Sequence, residues 1–347
     1  MATTLDIRPL GDAVDQKVHD DPFLLIATPR DPALANDPNA AASWVRDQAE
    51  AIERSLVSHG TILLRGFAFT SSHAFDEALQ DYASLPGGYA GGASPRAAIV
   101  GRVYEATSAA SDIPIVPHQE MSYLPRWPRK VAFYCHLAPD VGGETTTAHV
   151  PRFEATMDRR FHDAVAERGL IYRRNYRDRD RGKDFPASLD SIHRSWQDSF
   201  YSDDPARAEA VIADMGMAHR WEDDGSVTAV YRSEGFTTHP LTGGRHWFNQ
   251  LQTLYFTPQN LPSRWDDYVA FYADGRPKPY DIRYGDDVAI ALDDVVALLP
   301  PLEAATVALP WQKGDVMILD NILAMHGRNP FTGPRDIQVA LLESGGV

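Results

Sequence analysis

What most restricts the fold of this chain is a succession of short β-prone runs cut apart by turn residues. The runs lie at 99–104, 112–118, 130–137, 145–149, 170–176, 227–231, 246–250, 305–309, 315–320 and 335–342, and none exceeds eight residues. β-branched and aromatic side chains suit a pleated, half-buried surface, and the intervening Gly, Pro, Asn and Asp interrupt it. The runs do not alternate with helices as βαβ units would. Neither GxGxxG nor GxxxxGK[ST] occurs, so no phosphate-cradling loop is expected. The pattern predicts a mainly β architecture, a sandwich or jelly roll with a few flanking helices.

The helices are read from apolar spacing. Trp44, Val45, Ile52, Leu56 and Val57 form a stripe over 41–59, and Gly60 follows as a stop. Thr61–Arg65 is β-like and 72–83 helical. A further helix is expected over 151–168, with Pro151 at its start, Phe153, Met157, Phe161 and Val165 on its buried face, and Gly169 at its end. The 25 prolines and 24 glycines are spread along the 347 residues rather than gathered into a hinge. That favours a single domain, 1–347, with a β core over about 90–345 and an N-terminal helical and strand portion over about 20–90.

Charge narrows the partners. With 33 basic against 48 acidic residues, the net charge is −15. Such a surface repels nucleic acid and anionic membranes, and neither is expected as a partner. The N-terminal residues show no basic region followed by an apolar run, and no apolar stretch approaches the roughly 18 residues of a membrane span. Cys135 is the single cysteine, so neither an internal disulfide nor a CxxC zinc site can form. In its apolar run it reads as a small buried hydrophobe. A cytoplasmic protein is expected. The segment from Arg173 to Lys183 is dense in charges of alternating sign, which reads first as a solvated loop or lid and second as a docking patch.

The chemistry-bearing residues begin with His118-Gln-Glu120. On a strand, His118 and Glu120 share a face, because side chains alternate with a period of two. The pair alone says little. With 12 histidines and 48 acids in the chain, chance supplies about two His-x-acid pairs, and two occur, the other at His19. The distant segment from Gly314 to Arg335 adds weight. It holds a turn, an apolar strand, Asp320-Asn321, a third candidate ligand in His326, and Arg335 at the head of another β-like run. Two imidazoles and one carboxylate form a facial triad that leaves three positions of an octahedral ion open, an arrangement suited to non-haem Fe(II). A 2-oxoacid fills two of these positions as a chelate, leaving one for O2. An arginine on a neighbouring strand can hold its far carboxylate.

These residues carry a resemblance over nearly the whole chain. The motifs include His59-Gly-Thr-Ile-Leu-Leu-Arg-Gly-Phe67, Ser94-Pro-Arg96, His118-Gln-Glu120 and Gly142-Gly-Glu-Thr145. Trp247-Phe-Asn-Gln250, Trp311-Gln-Lys-Gly-Asp315, His326-Gly-Arg328 and Gly333-Pro-Arg335 follow in order. The chain resembles the TauD/TfdA-type dioxygenases dependent on Fe(II) and 2-oxoglutarate. Within them it most resembles the branch typified by the syringomycin-pathway aspartyl hydroxylase. The resemblance implies a double-stranded β-helix, a jelly roll of the clavaminate synthase-like kind. It implies His118, Glu120 and His326 as iron ligands, with Arg335 and Thr145 holding the C5 carboxylate of 2-oxoglutarate.

Retention of Glu120 implies oxygenation, since halogenating relatives carry Ala or Gly there. In the sulfonate-cleaving branch a further arginine stands four residues after the cofactor arginine. That place is Val339 here, which counts against a taurine-like substrate. Tyr104, Arg96, Asn249, Trp247 and Arg328 are the candidate substrate contacts, and for Arg328 an ion pair with Asp320 is an equal expectation.

The expected reaction is hydroxylation of an unactivated C–H bond of an amino acid in a natural-product pathway, with release of succinate and CO2. Desaturation, epoxidation or cyclisation with the same cofactors is the alternative, and a non-catalytic jelly-roll binding protein is the reading from another class. The substrate is either free or tethered to the carrier protein of a peptide synthetase, with Arg173, Arg174, Arg177, Arg179 and Arg181 as the carrier's basic patch. A homo-oligomer is compatible with the sequence.

Overall fold

The computed structural model describes residues 10–20, 22–89, 92, 96–107, 109–181 and 185–346. Its centre is an eight-stranded sheet. In spatial order the strands are Val14–Val18, Leu25–Pro29, Thr61–Leu64, Val316–Asp320, Arg126–Leu137, Asp336–Gly346, Val103–Glu105 and Ala98–Val100. A second sheet of four strands runs Thr306–Ala308, Thr145–His149, Ala324–Arg328 and Ile115–His118. Adjacent strands are antiparallel in both, except for the parallel pairing of Leu25–Pro29 with Thr61–Leu64. Side chains join the two sheets across the interior: the Thr61 and Thr147 hydroxyls lie 3.0 Å apart, and the Phe133 ring lies 5.0 Å from that of His326. This is the expected jelly roll with helices outside.

The alternation of the pleat explains why the central strands read as continuous apolar runs. Val131, Phe133 and Cys135 face the core shared with the smaller sheet, while Ala132 and Tyr134 face a second core under the N-terminal helices. The same division separates Leu319, Val339 and Leu341 from Ile318, Ala340 and Leu342. A sheet covered on both faces leaves no polar side to its strands. Cys135 is fully buried, and burial pushes its thiol up to about 12.

A third sheet, Ala218–Trp221, Val227–Ser233, Leu170–Tyr176 and Asp281–Tyr284, lies beside the roll. Part of the segment expected as a solvated loop, Arg173–Tyr176, is therefore strand. Lys183 lies outside the described residues. None of the described helices is long and apolar enough to cross a membrane.

Three expected elements are divided. The helix over 41–59 is two, Pro38–Asp47 and Ala49–His59, with Gly60 closing the second at φ 69°. The helix over 151–168 breaks after Thr156, because Asp158 accepts from the Phe161 N–H and starts a new helix, Arg159–Arg168. All four stripe residues remain buried. The run 99–104 turns at Gly101 into two strands. The helix expected over 72–83 ends at Ala78, and the run 112–118 is strand only from Ile115.

Candidate active site

The site forms where the end of Ile115–His118 meets Ala324–Arg328. In this antiparallel pair His118 and His326 are direct cross-strand partners, and their ring centroids lie 4.6 Å apart. Glu120 is not on the strand. The strand ends at His118, the chain turns, and Met121 takes a left-handed φ of 57°. The carboxylate thus reaches the histidines by a turn and not by the two-residue pleat expected from the sequence. Glu120 Oε2 lies 3.3 Å from His326 Nε2, and ligand atoms of all three residues lie within 4.8 Å of one another.

The local hydrogen bonds fix this geometry. His118 Nδ1 lies 2.9 Å from the Val116 carbonyl, which can only accept, so Nδ1 carries the proton and Nε2 keeps its lone pair. Asn321 grips the Glu120 backbone from both sides. Its Oδ1 accepts from the Glu120 N–H at 2.7 Å, and its Nδ2 donates to the Glu120 carbonyl at 3.0 Å. Asp320, in turn, accepts from Ile322 N and Leu323 N and pairs with His239 at 2.9 Å, which secures the turn leading to His326. Gln119 donates to the Trp247 and Ile322 carbonyls. Sequence reasoning noted Asp320-Asn321 but assigned them no such role; a polar pair directly after an apolar strand was the available signal.

Protonation suits the donor role. Burial, reinforced by the neighbouring His326, lowers His118 to about 4. Burial acts to raise Glu120, but the hydrogen bond from His326 and the charges of His326, His118 and Arg96 prevail and hold it at about 2. Near neutrality one is a neutral imidazole and the other a carboxylate, the forms a metal requires. Cis ligands bonded at about 2.1 Å stand about 3 Å apart, close to the 3.3 Å between Glu120 Oε2 and His326 Nε2.

A cavity of about 450 Å³ opens over these three side chains. Arg335 and Thr145 lie in its wall. The Arg335 Nε donates to the Gly143 carbonyl at 3.0 Å, and Arg335 forms no ion pair among the described residues. Burial, with Arg328 nearby, brings its pKa down to about 10. A partly buried cation without an ion-pair partner is costly, and a carboxylate entering the cavity relieves that cost. The Thr145 hydroxyl oxygen accepts from Trp311 Nε1 at 3.2 Å, which leaves its O–H free to donate. Gly143 must be glycine: its φ is +70°, and a Cβ would stand 2.9 Å from Phe331 Cβ. The donor set and this anion pocket fit Fe(II) and 2-oxoglutarate.

The substrate candidates divide. Arg96 and Arg328 border the cavity. Arg328 is committed to the carbonyls of Ala109, Ala110 and Ile113, and it does not pair with Asp320, whose partner is His239. Trp247 is fully buried against Phe153, Phe161 and Phe236, and Asn249 is held by the Gly235 carbonyl, so neither borders the cavity. Their neighbour Gln250 does. Tyr104 also stands back, edge-on to Tyr89. The proposed basic patch is not a free one. Arg173 pairs with Asp287, Arg177 with Asp190, Arg179 with Asp198 and Asp203, and Arg181 with Asp178, while Arg174 is buried.

Comparison with known proteins agrees with this geometry. The family model described as taurine catabolism dioxygenase TauD, TfdA family, matches residues 31–341. The chain belongs to this family. As a TauD/TfdA enzyme it is a non-haem iron dioxygenase that uses Fe(II), 2-oxoglutarate and O2.

A clavaminate synthase-like protein of Arabidopsis thaliana is 32% identical over 310 residues, covering 86% of each chain. The dapdiamide synthesis protein DdaC of Enterobacter agglomerans is 29% identical over 293 residues, covering 84% of each. Among solved structures, PvcB from Pseudomonas aeruginosa superposes with a TM-score of 0.52 at 16% identity, over 96% of this chain and 92% of that one. AAD-2 in complex with Mn(II) and N-oxalylglycine gives 0.54 at 10% identity, over 97% and 99%. At these identities the structures speak for the shared fold.

Proposed function

We propose that this TauD/TfdA dioxygenase hydroxylates an unactivated C–H bond of an amino-acid substrate in a natural-product pathway, with His118, Glu120 and His326 holding the iron. The convergence of these three side chains beneath a cavity that also holds Arg335, which has no ion-pair partner among the described residues, carries the reading. DdaC, at 29% identity, is a dapdiamide synthesis protein, which supports a biosynthetic setting. A single buried cysteine suits a reducing, cytoplasmic compartment.

Bound Fe(II), with 2-oxoglutarate and O2, supplies the oxidation and converts the oxoacid to succinate and CO2. The chain's own residues do the rest. Arg335 and the Thr145 hydroxyl hold the far carboxylate of 2-oxoglutarate, and so set which end of it faces the three ligands. The Val116 carbonyl keeps His118 in the tautomer with Nε2 free, and Asn321 keeps Glu120 turned inward. Phe133 and Ile115 line the cavity as apolar walls that exclude water, which strengthens every polar contact inside. With the arginines of 173–181 paired, no basic patch there favours a carrier protein, and we read the substrate as free.

Purified protein with Fe(II), ascorbate and 2-oxoglutarate, assayed for succinate against the L-amino acids, tests this. Substrate-dependent succinate and a product heavier by one oxygen are expected, both lost in His118→Ala and His326→Ala. A product lacking two hydrogens establishes desaturation or ring closure instead. Turnover that survives either histidine substitution contradicts the ligand assignment.

A further inference from the structure

The cavity is cationic in an acidic protein. Among the described residues in its wall are five arginines, Arg96, Arg194, Arg264, Arg328 and Arg335, against one carboxylate, Glu120, while the chain as a whole carries −15. Three have assigned partners or roles. Arg335 stands ready for the oxoacid, Arg328 gives both Nη groups to backbone carbonyls and keeps only its Nε without an acceptor among the described residues, and Arg264 donates to Ser191 Oγ at 2.7 Å.

Arg96 is different. Its Nε and Nη1 are buried without a hydrogen-bond acceptor among the described residues. Its guanidinium lies 5.0 Å from the centroid of the Tyr89 ring, which supports it from one side. It borders the same cavity as His118, Glu120 and His326. Four residues earlier, the Gly92 carbonyl accepts at 2.9 Å from Arg174, which is set among Tyr123, Tyr176 and Tyr280. Arg194 lines the same cavity, and its Nε is buried without an acceptor among the described residues. Buried guanidinium donors without acceptors are costly, and an anion is the ligand that satisfies them.

We infer that Arg96 receives an anionic group of the substrate, so that the enzyme oxidises small acids in preference to their neutral counterparts. This rests on the reading of the cavity as the active site and adds the substrate's charge and its anchor. The anchor comes from the segment before the strand of His118 and not from the C-terminal strand, where Val339 is buried in the core and offers no charge. An amino acid with a free carboxylate fits. One whose only carboxyl is tied up as a thioester or amide does not.

The test uses the full chain loaded with Mn(II) and 2-oxoglutarate. Calorimetry and ligand-observed NMR measure binding of a panel of L-amino acids, their primary carboxamides, alkyl sulfonates and alkyl phosphates. At least one acid is expected to bind, with its matched amide at least tenfold weaker, and the three anion types identify which head group fits. Arg96→Gln is expected to weaken that acid at least tenfold and to abolish the acid-over-amide preference. Mn(II)-dependent 2-oxoglutarate binding, which also reports folding, should stay within twofold. Arg96→Lys should restore part of the preference.

Equal binding of acid and amide, a preference that persists in Arg96→Gln, or no acid binding at all overturns the inference. A fall in 2-oxoglutarate affinity parallel to that of the acid also overturns it, assigning Arg96 to the co-substrate. Failure of the wild-type protein to bind 2-oxoglutarate with Mn(II) is a separate outcome and refutes the active-site reading itself.

Discussion

Asn321 shows what a single side chain contributes here. Its amide engages both the N–H and the carbonyl of Glu120 and also donates to the Pro128 carbonyl at 2.8 Å. Asn321→Ala removes all three bonds while leaving His118, Glu120 and His326 in place. Groups that orient ligands are typically worth about 10- to 100-fold in metal affinity. Calorimetric titration with Mn(II) should therefore show at least a tenfold weaker site in the variant, and an unchanged affinity contradicts the clamp. The three candidate ligands stood out in the sequence because several motifs occur in a fixed order around them. Asn321 was not, since its partners lie about two hundred residues away along the chain. Trp247 and Asn249 misled for a related reason: a motif beside the site marks the packing under it as readily as the site, and here Trp247 fills the core while Gln250 reaches the cavity.

Legibility at the scale of elements followed the apolar pattern. The long strands Arg126–Leu137 and Asp336–Gly346 were found because both of their faces are buried. The helix over 151–168 was found by its stripe but not its break, because Asp158 was read as helix interior and not as a cap. The strand Ala324–Arg328, which carries His326, has no β-like signature of its own. It exists because Thr145–His149 and Ile115–His118 pair with it on both sides, so tertiary context overrides local preference. Gly327 makes that packing tight. A Cβ there would meet the Ile115 carbonyl oxygen at 2.3 Å, where the register between the strands shifts. Gly327→Ala should cost about 1–3 kcal/mol in urea unfolding through forced backbone displacement. It should also weaken metal binding, because His118 and His326 sit on the displaced strands. A variant as stable as the wild type would show that the strands have slack.

Over the whole molecule, acid stability offers a check on how the third sheet is tied to the cavity. His193 is buried and neutral. Its Nε2 donates to Asn175 Oδ1 at 2.8 Å and its Nδ1 accepts from the Tyr272 hydroxyl at 2.6 Å, while burial, then the charges of Arg177 and Arg174, lower it to about 3. Its neighbours Ser191, Ile192 and Arg194 border the cavity. In the unfolded chain this histidine titrates near its ordinary value of about 6.5. Below that pH the unfolded state binds a proton that the folded state refuses, so stability present above about 6.5 is lost as the pH falls toward 3. One such group contributes a slope of up to about 1.4 kcal/mol per pH unit. Urea unfolding of metal-free protein between pH 6.5 and 5 should show this loss, and His193→Gln should flatten it by one proton's worth. An unchanged slope in the variant places the titration elsewhere.

The whole account depends on one ion held by residues that the chain separates by more than two hundred positions and the jelly roll brings together. Anaerobic calorimetric titration with Fe(II), followed by 2-oxoglutarate, measures this most directly. The wild-type protein should bind one equivalent of metal and take up 2-oxoglutarate only when metal is present, whereas Glu120→Ala and His326→Ala should each lose the site. Stoichiometric Fe(II) binding of wild-type strength in both folded variants would contradict it.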